Sequence, residues 1–263
     1  MGSASTQALA TTTAALRAAS GVDLDVAGEL FAVARAVGDS SQLSGALADS
    51  AAPDEARRQV VADVFGAAVR PTTASLLTTA VAQRWSSADD LVDAIEELAV
   101  RAAAVADGQA DVEAELFAFT RTVADNPELE LALGSRLGDP AAKGALVETL
   151  LQGRASAGAT LIASSLVREP RERRVRQLLT RATRIVADQR NRAMATVVAA
   201  APLSAAQSER LTAALSKRYG TPVSLNTIVD PTVVGGVRVQ IADDVIDASV
   251  SARLADLRQR LAG

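Results

Sequence analysis

The sequence predicts a mainly α protein: two tandem helical bundles followed by a small α+β domain of order β-α-β-β-α. Three observations predict it. Apolar residues recur at spacings of three and four through roughly the first 190 positions. About 80 residues of that region occur twice. After Arg192 the apolar period changes to two, the period of a strand.

The first helix carries Leu9 and Leu16, two turns apart. Leu30, Val33 and Val37 continue the spacing on a second. Val60, Val61, Val64 and Phe65 mark another, and Leu76, Leu77, Ala80 and Val81 the next. A long helix follows with Leu91, Ile95, Leu98, Ala102 and Val105 on one stripe. Pro53, Pro71 and the Ser86-Ser87 pair fall between these segments, where breakers belong.

ELFAVARAVGD at 29–39 returns as ELFAFTRTVAD at 115–125. At the same offset of 86, Glu29 matches Glu115, Arg35 matches Arg121, Leu43 matches Leu129 and Val61 matches Val147. ASLLTTAV at 74 then aligns with ATLIASSL at 159, an offset of 85, and Val105-Ala106-Asp107 resembles Val186-Ala187-Asp188. Only the first copy is preceded by an extra helix, the one holding Leu9 and Leu16. The period is too long for a solenoid unit. It suits two bundles, each burying its own Leu/Val/Ala core. The domains are therefore 1–109, an N-terminal six-helix bundle; 110–190, the duplicated bundle; and 191–263, the α+β domain.

In the last of these, Met194, Thr196 and Val198 alternate with Ala195, Val197 and Ala199. Val223, Leu225, Thr227 and Val229 make a second strand, and Val237, Val239 and Ile241 a third. Between the first two, Ser204 and Gln207 form a capping box, Leu211 and Leu215 supply an apolar face, and Gly220 stands at the C-cap. Asp230-Pro231 ends the second strand, Gly235-Gly236 permits positive φ, and Asp243-Asp244 turns the third strand back. A closing helix starts near Ser249, with Val250, Leu254, Leu257 and Leu261 on one face.

Composition narrows the chemistry. The chain has no Cys and no His, which removes thiolate catalysis, Cys-based zinc sites and the commonest general base. No window approaches the ~18 apolar residues of a membrane span, and the N-terminus lacks the basic and apolar regions of a signal peptide. Asp243, Asp244 and Asp247 lack the Gly and terminal Glu of a calcium loop. Gly235-Gly236 precedes a strand, unlike a phosphate-binding loop. No catalytic, cofactor or metal residue is expected, and no cofactor.

Residues 168–192 hold nine Arg against three acids, a net of +6 in a chain of net −4. Val175, Leu178, Leu179, Ala182, Ile185 and Val186 keep helical spacing, so the Arg residues lie on the other face. A solvated face is the default reading and an acidic protein partner the alternative. The interleaved aromatics of a nucleic-acid surface are missing. The single Trp85 reads as a bundle-end plug.

The C-terminal block VDPTVVGGVRVQIADDVIDASVSARLADL resembles the signature of the delta subunit family of F-type ATP synthases, whose mitochondrial relative is the oligomycin-sensitivity-conferring protein. Asp230, Pro231, Gly235, Gly236, Asp243, Asp247 and Ser249 match it, while Ala242 and Ala248 stand where the family has Gly. TVVAAAPLSAAQSERLTAALSKRYG also resembles the family's strand, Pro-Leu-Ser and helix, and the duplication resembles the actinobacterial form. The resemblance implies a non-catalytic stator connector, one copy per hetero-oligomeric complex, held peripherally on the cytoplasmic face of the cell membrane. It implies two partners: the N-terminal helix of an alpha subunit, in a groove between the first and fifth helices, and the end of the b subunits of the peripheral stalk. No nucleic acid and no direct membrane span are expected. Leu9, Leu16, Leu76, Leu77 and Ala80 are the expected groove lining, and Arg173, Arg174 and Arg176 the expected stalk-facing residues. The rival expectation is a helical adaptor unrelated to ATP synthase.

Overall fold

A computed structural model of the chain describes residues 2–135, 137–171, 173–241 and 244–250. The chain divides after Val186 into two compact units. The first contains α1 (Ser3–Ala18), α2 (Leu24–Gly38), α3 (Ser41–Ala48), α4 (Asp54–Phe65), α5 (Pro71–Val81), α6 (Ala88–Ala106), α7 (Val112–Asp125), α8 (Pro127–Gly134), α9 (Pro140–Leu151), α10 (Ala157–Arg168) and most of α11 (Val175–Gln189). Helix starts are written locally. Asp23, Ser40, Ser87, Asp111, Asp139 and Ser156 each accept a first-turn backbone N–H, an N-cap worth about 1 kcal/mol. Pro71, Pro127 and Pro140 occupy first helical positions, where a missing N–H costs nothing.

The duplication is visible helix by helix. α3, α4 and α5 start at 41, 54 and 71, and α8, α9 and α10 at 127, 140 and 157, a constant offset of 86. Buried Leu76, Leu77, Ala80 and Val81 on α5 correspond to buried Ile162, Ala163, Leu166 and Val167 on α10. Residue identity alone favours an offset of 85 here. Small and apolar residues are interchangeable by identity, so only burial phase and caps settle the register. The repeated glutamates keep the same hydrogen bond in both copies. Glu29 accepts the Arg70 N–H at 2.9 Å, and Glu115 accepts the Ser156 N–H at 2.9 Å. Each ties the second helix of its copy to the start of the fifth.

The second copy does have a first helix, and it is α6. Ser3–Ala18 displaced by 86 falls at 89–104, inside Ala88–Ala106. In the first copy, Thr72 at the start of α5 donates its hydroxyl to the Ser20 carbonyl after α1, at 3.5 Å. In the second, the Gly158 N–H at the start of α10 donates to Asp107 after α6, at 2.8 Å. α6 packs on α1, α2, α3 and α5 and also on α10. Twelve of its nineteen residues are buried. The sequence reading of two bundles with separate cores therefore gives way to one contiguous core, running from Ala8 through Leu98 and Leu116 to Val186. Trp85 is buried and donates its indole N–H to the Ala80 carbonyl at 2.8 Å, closing the C-terminal end of α5.

The second unit holds β1 (Ala193–Ala199), α12 (Ala205–Tyr219), β2 (Val223–Val229), β3 (Val237–Ile241) and β4 (Asp244–Asp247). The sheet order is β2-β1-β3-β4, with β1 and β2 parallel and the other pairs antiparallel. α12 is the crossover that a parallel pair requires. It begins with the expected Ser204–Gln207 capping box and ends at Gly220 with φ 69°. β4 departs from the sequence expectation, in which Asp244 belongs to a turn and no fourth strand follows. Asp243 and the closing-helix residues Leu254, Leu257 and Leu261 lie outside the described residues.

Gly236 generates the first prediction. Its φ is +78°, and an added Cβ would stand 2.4 Å from the Ala248 carbonyl oxygen. Gly236→Ala combines a disfavoured backbone angle with a backbone clash, so it should cost about 2 kcal/mol or more. Hydrogen exchange on the full chain should show the loss confined to residues 193–250, with α1–α10 as protected as before.

Candidate interaction surfaces

The seam between α1 and α5 is antiparallel and pinned at both ends. One pin is the Thr72–Ser20 bond. At the other, the Ser5 hydroxyl accepts the Ser86 N–H at 2.9 Å and donates to Asp90 at 2.6 Å. Of the residues expected to line a groove here, Leu16, Leu76, Leu77 and Ala80 are buried in the core beneath the seam. Leu9 is half-buried and packs on that core while keeping accessible surface. In the second copy the equivalent helices are α6 and α10, and α2 packs against both.

The Arg-rich segment is largely engaged. α6 presents a row of acids, Asp93, Glu96 and Glu97, at the spacing that places side chains on one helical face. Arg173 binds Glu96 through two nitrogens, both at 2.8 Å. Arg171 reaches Glu96 and Asp93 at 2.9 Å each, and Arg181 reaches Asp93 and Glu97 at 3.4 Å each. Glu97 also holds Arg101 at 2.7 Å, with both side chains buried. This row ties α11 and the segment before it to the shared helix. Burial opposes ionisation of Glu96, but the hydrogen bonds and charge of Arg173, with those of Arg171, prevail and hold its carboxyl below the usual range. Burial also opposes the charge on Arg173, and Glu96 and Asp93 more than offset it.

Arg173, Arg174 and Arg176 all border a hollow of about 730 Å³ between α8, α9 and the start of α11. Arg173 is held by Glu96, and Arg176 by Glu130 at 2.8 Å. Arg174 is exposed and has no ion pair among the described residues. Sequence reasoning passed over the acid row, whose i, i+3, i+4 spacing on an otherwise buried helix was the available signal. It also passed over Leu131, 75% exposed in this hollow's lining, and Leu137, 99% exposed.

In the second unit, Asp230 accepts the Thr232 N–H at 2.9 Å and its hydroxyl at 2.7 Å, which lowers the carboxyl's pKa. Pro231 is exposed beside it. Gly235 and Gly236, at φ +67° and +78°, let residues 248–250 lie against them, with the Val250 N–H donating to the Gly235 carbonyl at 3.2 Å. Asp247 accepts the Ser249 N–H at 2.9 Å, and its pKa too is lowered, chiefly by Ser249. The structure thus brings Gly235, Gly236, Asp247 and Ser249 together as a turn assembly. Among the described residues no group of His, Cys, Asp or Glu is arranged to hold a metal ion, and no helix is long and apolar enough to cross a membrane.

The family model described as "ATP synthase delta (OSCP) subunit" matches residues 97–261, beginning inside α6, the first helix of the second copy. "ATP synthase subunit delta" of Leifsonia xyli subsp. xyli is 50% identical over 265 residues, covering 100% of both chains. The protein of the same name from Streptomyces avermitilis is 42% identical, covering 94% of this chain and 93% of its own. A chain of the Toxoplasma gondii mitochondrial ATP synthase hexamer aligns over 64% of this chain and 97% of its own, at 21% identity and a TM-score of 0.38, too low to carry an argument.

The acid row predicts a pH signature. A carboxyl with a depressed folded pKa supplies stability that is complete above its unfolded value, near 4.5. That stability is lost as pH falls through the lower folded value. Glu96→Gln should cost about 2 to 3 kcal/mol at pH 7, below the ~3–5 kcal/mol of a fully buried orphan charge, because Arg173 keeps 23% of its side-chain surface and Asp93 stays within 3.8 Å. Denaturant titrations between pH 3 and 7 should show a shallower acid decline for the variant than for the parent.

Proposed function

The chain belongs to the ATP synthase delta (OSCP) subunit family, and we propose that it serves there as a non-catalytic stator connector. It binds the N-terminal helix of one alpha subunit with its first helical copy. It binds the b subunit of the peripheral stalk with its remaining surface, so that proton flow stays coupled to ATP synthesis. Location follows from the partners: the cytoplasmic face of the cell membrane, attached through the complex.

One observation carries the division of labour. Leu9 at the α1–α5 seam keeps accessible surface, whereas α2 packs against both α6 and α10 and twelve of the nineteen α6 residues are buried. The first copy's seam is therefore the one we assign to a partner helix. Leu9, half-buried at that seam, is the side chain of the expected set that a docked amphipathic helix could still cover; Leu16, Leu76, Leu77 and Ala80 hold the groove's walls together from beneath. Helix-in-groove recognition needs such an apolar surface on a rigid support. The b-subunit contact is assigned to the C-terminal unit, with Arg173, Arg174 and Arg176 as candidates on the second copy. Two modest contacts on one chain reinforce each other by effective concentration.

Calorimetry with a synthetic alpha-subunit N-terminal peptide should give one peptide bound per chain. Leu9→Asp should weaken it about tenfold, the order expected for losing one buried aliphatic contact, with helix content unchanged. Two equivalent sites, or full affinity in a folded Leu9→Asp chain, would overturn the assignment.

A further inference from the structure

We propose that the outer face of α11, together with the hollow at its start, is a docking site for an acidic amphipathic helix of the partner stalk. This rests on the connector reading and gives it a specific address.

Glu148 pairs with Arg168, Glu96 with Arg171 and Arg173, Glu130 with Arg176, and Asp93 and Glu97 with Arg181. Arg174 and Arg184 are exposed and have no ion pair among the described residues. Both border a shallow basic trough along α11 of about 460 Å³, with Gln177, Thr180 and Arg181 between them and no acid in its lining. Ten residues of helix separate the Cα atoms of Arg174 and Arg184, about 15 Å. That spacing matches two carboxylates about three turns apart on a neighbouring helix.

The trough shares Arg174 and Arg176 with the larger hollow. Leu131, 75% exposed, lines that hollow, and Leu137, 99% exposed, precedes Gly138 of its lining in the chain. Elsewhere the large side chains of this unit go mostly to the core. An amphipathic helix with acids along one edge and an aliphatic residue at one end satisfies both features. A nucleic acid satisfies neither: it offers nothing to the leucines, and the net charge outside residues 168–192 is −10, which repels it.

The probe is a fluorescently labelled soluble segment of the organism's own b subunit, without its membrane span, titrated against the full chain by anisotropy at 50 and 300 mM NaCl. Arg174→Glu/Arg184→Glu should weaken binding at least tenfold at low salt and lose most of the parent's salt dependence. Leu131→Ser/Leu137→Ser should weaken it severalfold at both salts. Arg58→Glu, exposed on α4, serves as the charge control and should bind as the parent does. All these side chains are at the surface, so circular dichroism should be unchanged. Parental affinity in both double variants would overturn the docking site while leaving the connector reading intact. A parent chain that binds neither the stalk segment nor the alpha peptide would overturn both. A 20-base-pair duplex bound by the parent and lost in the Arg variant, with stalk binding untouched, would overturn it in favour of nucleic acid.

Discussion

The structure of the helical unit depends on one constraint: α6 must satisfy two bundles at once. A helix on the surface of one bundle needs an apolar stripe about a third of the way round. A helix shared by two has almost no side left for solvent. The sequence answers with small residues. Ala94, Ala99, Ala102, Ala103 and Ala104 are all buried and let neighbours approach from several directions. Larger Leu91, Ile95 and Leu98 fill the core that the two copies share. Among the charged residues of α6, Asp93, Glu96 and Glu97 hold arginines from the second copy.

That arrangement explains why the Arg segment could not be interpreted by composition alone. Its charge excess is real, but charge is a sum, and docking depends on what is left after internal pairing. The partners of Arg171, Arg173 and Arg181 lie about 75 to 88 positions upstream, beyond the reach of any local pattern. Ion pairs that are partly buried gain from a lower dielectric and are screened less by salt. They act here as internal fasteners, whereas Arg174 and Arg184 are exposed and form no ion pair among the described residues.

Much of the fold was legible because it is written locally. Capping residues, prolines and the glycine at position 220 mark helix ends whatever surrounds them, and the change of apolar period at Arg192 marks the second unit. The duplication was legible where residue identity survived, around Glu29 and Glu115, where a hydrogen bond to the fifth helix holds the type fixed. It was illegible where only geometry survived. α1 and α6 share just Ala8/Ala94 and Ala18/Ala104 at the common offset, because one faces water on its outer side and the other faces a second bundle. β4 was missed for another reason: Asp at both ends of a four-residue strand favours a turn by propensity, and pairing with β3 overrides it. The C-terminal motif was recognised as a pattern, but its purpose lies in backbone geometry. Gly235 and Gly236 make room for the returning chain, and Asp230 and Asp247 shape the turns beside them.

The shared helix also bears on how force passes through the molecule. Repeats joined by a linker can swivel, and repeats joined by an interface can slide when loaded. Here nineteen residues of continuous helix, about 28 Å long, form a common axle for both copies. Shear along that line falls on covalent bonds and on a ladder of backbone hydrogen bonds. The extra copy enlarges the helical unit without adding a joint within it.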